Sequence, residues 1–278
     1  MQWGQIKSLF IISFLILNVF LGQQLFEKIS DTDLERSSQA SFEERLEAQE
    51  IEVGELPESG KEEVYISSNR YEFTEEDFNN IENSFNNQEM VIMNDDTIVS
   101  QFNEPLELDG GDNDILDHVY RGEDYEFWKS YNNRLILYFQ KQNDRPVFFN
   151  YSGVLAVLLN ENGEVTSYAQ TLLGEPEEES EPQTVLDPMS VIKILYSDVL
   201  ERQDEITDMS LGYHTLVPLE EGEQIFTPTW KITINDEETH FVNAIEGQVI
   251  PSEEEEFVDS ITYFVDYQVE ELIRSETE

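Results

Sequence analysis

The stretch LFIISFLILNVFLGQQLF, from Leu9 to Phe26, contains no charged side chain. An α-helix of this length spans about 27 Å, and the hydrocarbon core of a bilayer is roughly 30 Å thick. Trp3 before the stretch and Phe26 at its end are aromatic residues of the kind that settle at membrane interfaces. The stretch therefore predicts a transmembrane helix over residues 8–26.

A cleaved secretory signal peptide is the alternative interpretation of the same apolar run. Such peptides have a shorter apolar core followed by a cleavage site with two small residues. Here the run ends in GQQLF, Gly22 to Phe26, which offers no such site. Lys7 favours a cytoplasmic N-terminus for residues 1–7, although Lys28 lies on the other flank. We expect a single-pass protein of the cell membrane whose C-terminal domain is extracellular.

Ser13 and Asn18 are the polar residues in the middle of the apolar helix, between Ser8 near its start and Gln23-Gln24 near its end. A polar amide that faced lipid would be costly, so Asn18 is expected to face another helix or water. One interpretation is that the membrane helix simply tolerates a single asparagine and that Asn18 has no function. The functional interpretation is a contact with the membrane helix of a partner protein, to which Ser13 contributes.

The composition excludes several classes of function. The chain has 278 residues, with 61 acidic and 15 basic side chains, and a formal net charge of -46. Such a surface repels nucleic acid and anionic lipid headgroups. The hydrophobic content of 39% is too high for a disordered acidic tail. There is no cysteine, which removes thiol chemistry and cysteine-based zinc sites and leaves the exported fold dependent on its core.

Residues 27–60 are predicted to form a stalk and linker. The segment DLERSSQASFEERLEAQE, from Asp33 to Glu50, is charged and carries Phe42 and Leu46 at helical spacing. Gly54, Pro57, Ser59 and Gly60 then end the helical pattern.

A first unit over residues 61–146 begins with a strand at Val64 to Ile66. Thr74 followed by Asp77 predicts a helix start, and the helix carries an apolar face. Asn94-Asp95-Asp96 predicts a hairpin turn. The apolar face of the helix consists of Phe78, Ile81 and Phe85. The predicted strands of this unit are Met90 to Met93, Ile98 to Phe102 and Leu135 to Gln140.

A second unit over residues 147–252 repeats the order of strands around a helix. Asp187-Pro188 is a strong helix start, with aspartate as the N-cap and proline at the first helical position. Gly174 to Pro182 is an exposed linker by composition, and residues 253–278 form an acidic, possibly helical C-terminal segment. The predicted strands are Val147 to Tyr151, Gly153 to Leu159, Val165 to Leu172, Met209 to Val217, Thr229 to Ile234 and Thr239 to Ile245. The fold class predicted is α+β, with two related mixed units and antiparallel sheets.

The sequence motifs that could indicate catalysis or metal binding are weak. Three histidines, His118, His214 and His240, lack the spacing of metal ligands. Ser190 and Lys193 match a Ser-x-x-Lys motif, but the Ser-Asp-Asn and Lys-Thr-Gly elements of that enzyme class are absent. Asp109 to Asp114, DGGDND, offers oxygen ligands for calcium without the order of an EF-hand, and an acidic loop is the simpler interpretation. No enzyme activity, cofactor or metal is predicted.

Two regions together resemble the YycI family. The opening MQWGQIKSLFIISFLILNVFLGQQL, from Met1 to Leu25, has a Trp, a Lys and then an apolar helix containing Leu-Asn-Val-Phe. Near the C-terminus, Trp230-Lys-Ile-Thr-Ile is followed by a polar turn and by Phe241-Val-Asn-Ala-Ile-Glu-Gly-Gln-Val249. PepSY-type modules end in a similar hairpin, so an extracytoplasmic peptidase inhibitor or peptide-binding module is the alternative function.

The resemblance to YycI proteins implies a membrane-anchored accessory regulator. Proteins of that family act on the essential WalK (also YycG) sensor histidine kinase of low-GC Gram-positive bacteria, together with a second membrane regulator, YycH. The implied partners are this kinase, a YycH-like regulator and the bilayer. The implied output concerns cell-wall metabolism.

Overall fold

The computed structural model describes residue 18 and residues 41–108, 110–216 and 222–276. Of the predicted transmembrane helix 8–26, only Asn18 falls within those ranges, where it is helical and exposed. Ser13, residues 1–7 and the first part of the predicted stalk lie outside them. Within the described ranges, no helix combines the length and the apolar character that crossing a membrane requires. The membrane helix stays a prediction.

The described residues form two compact units, and the smaller comprises residues 41–53 and Leu195–Glu205. Its helix α1 (residues 41–48) buries Phe42 and Leu46, the two apolar residues that the sequence places at helical spacing. The Phe42 ring meets the Tyr196 ring edge-on at 5.4 Å, and the Arg45 guanidinium lies over both rings. Strand β1 (Glu52–Val53) follows the helix. The helical part of the predicted stalk is therefore confirmed for residues 41–48, and it packs rather than projecting alone.

The larger unit, Gly54–Ile194 with residues 206–276, contains most of one large sheet. Its first part, called here the first half-sheet, has six antiparallel strands in the order β6-β7-β9-β10-β5-β4. These strands are β4 (Gln88–Met93), β5 (Thr97–Leu106), β6 (Tyr125–Tyr131), β7 (Leu135–Gln142), β9 (Val154–Leu159) and β10 (Val165–Thr171).

The second half-sheet continues from the first through a short hairpin. Strand β8 turns back from β7 and then pairs in parallel with β13, where Val147 lies opposite Tyr213. The members of this half-sheet are β3 (Ile66–Ser68), β8 (Arg145–Phe148), β11 (Glu177–Glu178), β13 (Glu205–Thr215), β14 (Gln224–Ile234), β15 (Glu238–Asn243) and β16 (Val249–Ile250). A separate two-stranded ribbon pairs β2 (Glu62–Glu63) with β12 (Gln183–Thr184).

A buried amide network reinforces this junction. The Asn150 side-chain amide donates to Gln224 Oε1 at 2.7 Å and to Thr215 Oγ1 at 2.8 Å. Gln224 Nε2 in turn donates to Ser152 Oγ at 2.8 Å. Uncharged groups can be buried at small cost when each has a partner, and such networks fix one arrangement of the elements that supply them.

Both faces of the first half-sheet are covered. On one face, helix α4 (Glu254–Glu276) packs Phe257, Ile261 and Val265 against the sheet. On the other face, helix α2 (Glu75–Ser84) contributes Ile81, beside two 3₁₀ turns at Asp112–His118 and Gly122–Asp124. Helix α3 (Pro188–Leu195) precedes β13 in the chain. The terminal helix expected in residues 253–278 is thus confirmed.

Two-residue turns of asparagine and aspartate set the register of four hairpins of the described residues. Both turn residues have positive φ at Asn94-Asp95, Asn132-Asn133, Asn143-Asp144 and Asn235-Asp236. This conformation gives the type I′ turns whose twist matches that of paired strands, and asparagine and aspartate tolerate it better than other side chains. The hairpin turn predicted at Asn94-Asp95-Asp96 is thus confirmed, and Asn235-Asp236 is the polar turn that follows Trp230-Lys-Ile-Thr-Ile in the sequence.

The α+β fold class with a mainly antiparallel sheet is confirmed. Among the longer strands, β6 (YEFWKSY) was missed, because it mixes charged and aromatic residues without a clean alternation. The two-residue strands β1, β2, β12 and β16 and the two 3₁₀ turns were also not predicted. One prediction was partly wrong, because the exposed segment Gly174 to Pro182 contributes β11, which pairs with β3. The division at 61–146 and 147–252 stays a prediction. Strands β7 and β9, which lie on either side of residue 146, are neighbours in one sheet.

Candidate interaction surface

Ser190 and Lys193, the two residues of the Ser-x-x-Lys motif, both lie in helix α3. Ser190 lies in the first turn of α3, where its hydroxyl donates to the Asp187 carboxylate at 2.6 Å and its backbone N–H donates to the same side chain at 3.0 Å. Asp187 is therefore the helix cap that the sequence predicts, and Ser190 assists it. Lys193 is exposed. The pair has the geometry of a helix start.

The three histidines lie on different elements. His118 ends a 3₁₀ turn beside the Phe102 ring, and His240 on β15 lies 3.6 Å from the Glu238 carboxylate. His214 on β13 lies near the rings of Phe149 and Phe241, and burial lowers the pKa of its imidazole.

The acidic segment Asp109 to Asp114 forms a local turn. The Asp114 carboxylate accepts from the backbone N–H of Gly110, and Asp112 begins a 3₁₀ turn. Asp109 lies outside the described residues. Within the described ranges, no group of three or more histidine, aspartate or glutamate side chains has the arrangement of a metal site.

Strand β4 presents an open, apolar edge. Among the described residues it has one strand neighbour, β5. From Met90 to Met93 it carries no charge, and alternate side chains pack towards the two opposite faces of the sheet. Natural proteins usually protect exposed strand edges with charged residues, proline or bulges, because an open edge pairs readily with another chain.

The other strands at the margins of the described sheet are either charged or only two residues long, and β4, apart from Glu89, is neither. Strand β6, which pairs with β7, includes Glu126 and Lys129. Strand β11 consists of Glu177 and Glu178 alone. The contrast identifies β4 as the edge suited to receive a strand from a partner.

A groove of about 360 Å³ with both polar and apolar walls runs beside this edge, between β4 and helix α2. Its apolar lining includes Phe78 of α2, Phe85 at the helix C-cap, and Met90 and Ile92 of β4, and its polar lining is Asn86, Gln88 and Glu89. Phe78 is 36% exposed and, unlike Ile81, lies outside the core clusters. We call the open edge of β4 together with this groove the β4–α2 surface.

The sequence fixes the position of helix α2 through a capping box. Thr74 Oγ1 accepts from the Asp77 N–H at 3.2 Å, and the Asp77 carboxylate accepts from the Thr74 N–H at 2.8 Å. Burial opposes ionisation of Asp77, but hydrogen bonds from Thr74, Tyr71 and Tyr120 outweigh it and lower the pKa of the carboxyl. The helix start predicted at Thr74 is thus confirmed, and the cap holds the Phe78 side of the groove in place.

Acidic side chains surround the β4–α2 surface. Glu75 and Glu76 are exposed in the first turn of α2, and Glu89 lines the groove. The surface therefore combines backbone hydrogen-bonding groups, apolar pockets and negative charge. These features suit an extended segment in which apolar and basic side chains alternate.

Sequence reasoning predicted strand β4 but not its position at the edge. The usable signal was the uncharged run from Met90 to Met93 beside a helix with an exposed phenylalanine. Strand order depends on contacts between distant segments, so periodicity alone does not give it. The predicted partner contacts Ser13 and Asn18 stay predictions.

Comparison with known proteins gives three results. No curated protein matches the chain. Among solved structures, an uncharacterized protein from Eubacterium rectale ATCC 33656 is similar at 10% identity and a TM-score of 0.45, with 73% of this chain and 91% of that chain covered. YycH from Bacillus subtilis is similar at 11% identity and a TM-score of 0.34, with 70% of this chain and 56% of that chain covered.

A family comparison gives the identification. The sequence matches the family described as YycI protein over residues 29–245, which is most of the chain. The match includes the Trp230 strand and the Phe241 strand that carry the resemblance near the C-terminus. This chain belongs to the YycI family.

Proposed function

We propose that this chain is a non-enzymatic accessory regulator of an essential WalK (YycG)-type sensor histidine kinase, acting together with a YycH-like protein. The observation that carries the proposal is the family match over residues 29–245. In this proposal the helix 8–26 anchors the chain with its N-terminus inside. The folded domain then lies on the extracellular side.

The proposal assigns the two regions different partners. The membrane helix, through Ser13 and Asn18, contacts the membrane helices of the kinase and favours one of its two signalling states. Couplings of this kind are typically about 1–3 kcal/mol. The extracellular domain binds the YycH-like regulator through the β4–α2 surface.

Charge argues for a different protein rather than a second copy at this surface. Each copy of the chain carries a net charge of -46, so two copies repel each other at close range. The β4–α2 surface is itself lined by Glu89 and bordered by Glu75 and Glu76. A partner strand with basic side chains on its flanks gains from the same charges.

Crosslinking in intact membranes tests the ectodomain assignment. A photoreactive residue at Glu89, on the open edge of β4, is expected to capture the YycH-like regulator. The same residue at Glu126, on the charged edge of β6, is the matched control and is expected not to capture it. Capture of a protease or an unrelated peptide at Glu89 would favour the peptide-binding alternative, and capture of another part of this chain would contradict the assignment.

The Phe78→Ser variant is expected to weaken binding of the YycH-like regulator by roughly 30-fold, because truncating an interface aromatic costs about 2 kcal/mol. The fold should tolerate the change, since Phe78 lies outside the core clusters. Ile225→Ser is the control, because Ile225 is similarly exposed, at 41%, on strand β14. Affinity measured between full-length proteins in nanodiscs checks this. Equal binding by both variants would remove the groove from the interface.

The Asn18→Leu variant is expected to insert normally into the membrane and to change kinase output by about 5- to 150-fold, because the polar contact between helices is lost. Leucine preserves the apolar character of the helix. Kinase autophosphorylation in membranes and co-purification of the kinase are the measurements. If neither changes, Asn18 has no role in the kinase contact.

A further inference from the structure

An apolar cavity of about 240 Å³ lies between the first half-sheet and helix α4. Its floor is formed by residues of β9 and β10, and its roof by residues of α4. The apolar side chains that line it are Val154, Ala156, Ala169, Ile261, Phe264 and Val265. It is separate from the β4–α2 surface, with which it shares no lining residue.

The cavity has a definite cause in the sequence. Ala156 on β9 and Ala169 on β10 lie directly opposite each other in the sheet. The same cross-strand row continues to Leu137 on one side and Val99 on the other. Two methyl side chains between two larger ones leave a trough beneath α4. Protein interiors normally fill such space, because close packing provides much of their stability.

The size of the cavity limits the occupant. An apolar cavity of about 150 Å³ stays free of water and holds a benzene molecule, so 240 Å³ accommodates on the order of ten carbon atoms. Water that enters past the half-exposed Tyr151 finds few polar partners, because the floor and roof are almost entirely apolar. A slender alkyl chain fits a trough between a sheet and a helix.

Arg70 supplies a polar group to the lining. Its Nη2 donates to Thr97 Oγ1 at 3.0 Å, and its Nε lies 3.0 Å from the Asp96 carboxylate. A guanidinium has five N–H donors, and the Arg70 side chain makes no other hydrogen bond or ion pair to the described residues. The Thr171 hydroxyl, which also lines the cavity, already donates to the Tyr151 carbonyl at 2.9 Å.

The charge of Arg70 is already balanced. Asp96 neutralises the guanidinium locally, and the chain as a whole is strongly acidic. A carboxylate or phosphate on the ligand would therefore gain little attraction and would meet repulsion from the protein. A neutral carbonyl oxygen can accept a hydrogen bond from Arg70 without that repulsion.

We infer that the space beneath α4 binds one acyl chain of about ten carbon atoms, with a neutral ester or amide carbonyl hydrogen-bonded to Arg70. The two features that define the site are the Ala156–Ala169 trough of the first half-sheet and the partly satisfied guanidinium of Arg70, which lies between β3 and α2 and bridges to Leu173 after β10. The inference concerns a ligand and does not depend on the kinase or the YycH-like partner.

Photolabelling of the full-length chain in lipid nanodiscs tests this inference. The probe is a decanoyl methyl ester with a diazirine on its alkyl chain. We expect labelling of peptides that contain Ala156, Ala169 or Ile261, and competition by unlabelled methyl decanoate. Methyl decanoate should compete at least tenfold better than decanoate or decane. Labelling confined to other peptides, or stronger competition by decanoate, would overturn the inference or its headgroup assignment.

The Ala169→Leu variant fills the trough and is expected to reduce labelling at least tenfold without lowering the thermal midpoint. Thr166→Leu on the same strand, which does not line the cavity, is the control and should label like the unmodified chain. Should Ala169→Leu unfold, the smaller change Ala156→Val serves in its place. Unchanged labelling in folded cavity-filling variants would show that the ligand binds elsewhere.

Discussion

Replacement of Trp230 by alanine is expected to lower the free energy of unfolding by about 3–5 kcal/mol. Trp230 is 1% exposed and is among the largest fully buried side chains of the described residues. It lies on β14 between Leu211 of β13 and Val242 of β15. Truncation removes a large apolar contact area in the middle of three strands and leaves a cavity that the sheet has little freedom to close.

A hydrogen bond adds to this effect. Trp230 Nε1 donates to the Leu186 carbonyl at 3.0 Å, just before helix α3 begins. The alanine variant leaves that carbonyl without its donor, and an unsatisfied polar group costs about 1–3 kcal/mol when buried. The indole therefore joins the sheet to the start of α3 as well as filling the core.

Urea unfolding followed by far-ultraviolet circular dichroism measures the change, since the substitution alters tryptophan fluorescence. Trp230→Phe is the matched control, because it keeps most of the ring but loses the N–H. It is expected to fall between the alanine variant and the unmodified chain. A loss below about 1 kcal/mol for Trp230→Ala would mean that the strand β14 region contributes little to the stability that unfolding reports.

The residues that carry the family resemblance near the C-terminus stabilise the fold. Trp230 fills the core, and Asn243 closes the turn after β15. The Asn243 side-chain oxygen accepts from the N–H groups of Ile245 and Glu246, both at 2.9 Å, and its Nδ2 donates to Thr227. Gly247 follows with a positive φ, which suits glycine. This part of the motif therefore corresponds to a turn that needs a side-chain acceptor at Asn243 and a positive φ at Gly247.

Local signals were sufficient for much of the secondary structure. Thr74 with Asp77 and Asp187 with Pro188 each predicted a helix start that the structure contains, because capping chemistry involves residues only three or four apart. The Asn235-Asp236 turn likewise depends on its own two residues. Elements with local causes can be predicted from a single sequence.

The arrangement of the strands could not be predicted in this way. The open edge of β4, the parallel contact of β8 with β13 and the trough between Ala156 and Ala169 each join distant segments. Nothing within five residues of Ala169 indicates that another alanine lies opposite. For the same reason, the candidate interaction surface and the cavity became visible only in the structure.

The substitution Gly212→Val is expected to cost about 3 kcal/mol and to weaken the junction of the two half-sheets. Gly212 lies on β13 opposite Thr229, next to the parallel contact with β8. A Cβ atom added there would lie 2.7 Å from the Pro146 carbonyl oxygen and closer still to the Phe148 ring. Both neighbours belong to β8, so a branched side chain must displace the strand that links the half-sheets.

The expected loss of stability is concentrated in β8 and β13 rather than spread over the whole fold. Amide hydrogen exchange should increase first in β8 and β13, whereas the β4–β5 hairpin should keep its protection, because it lies at the far end of the first half-sheet. Gly174→Val is the matched control, since a Cβ atom there has its nearest neighbour at 3.5 Å and the position has no positive φ. Equal destabilisation by both substitutions, or uniform exchange across the sheet, would show that the close approach of β8 to Gly212 does not hold the half-sheets together.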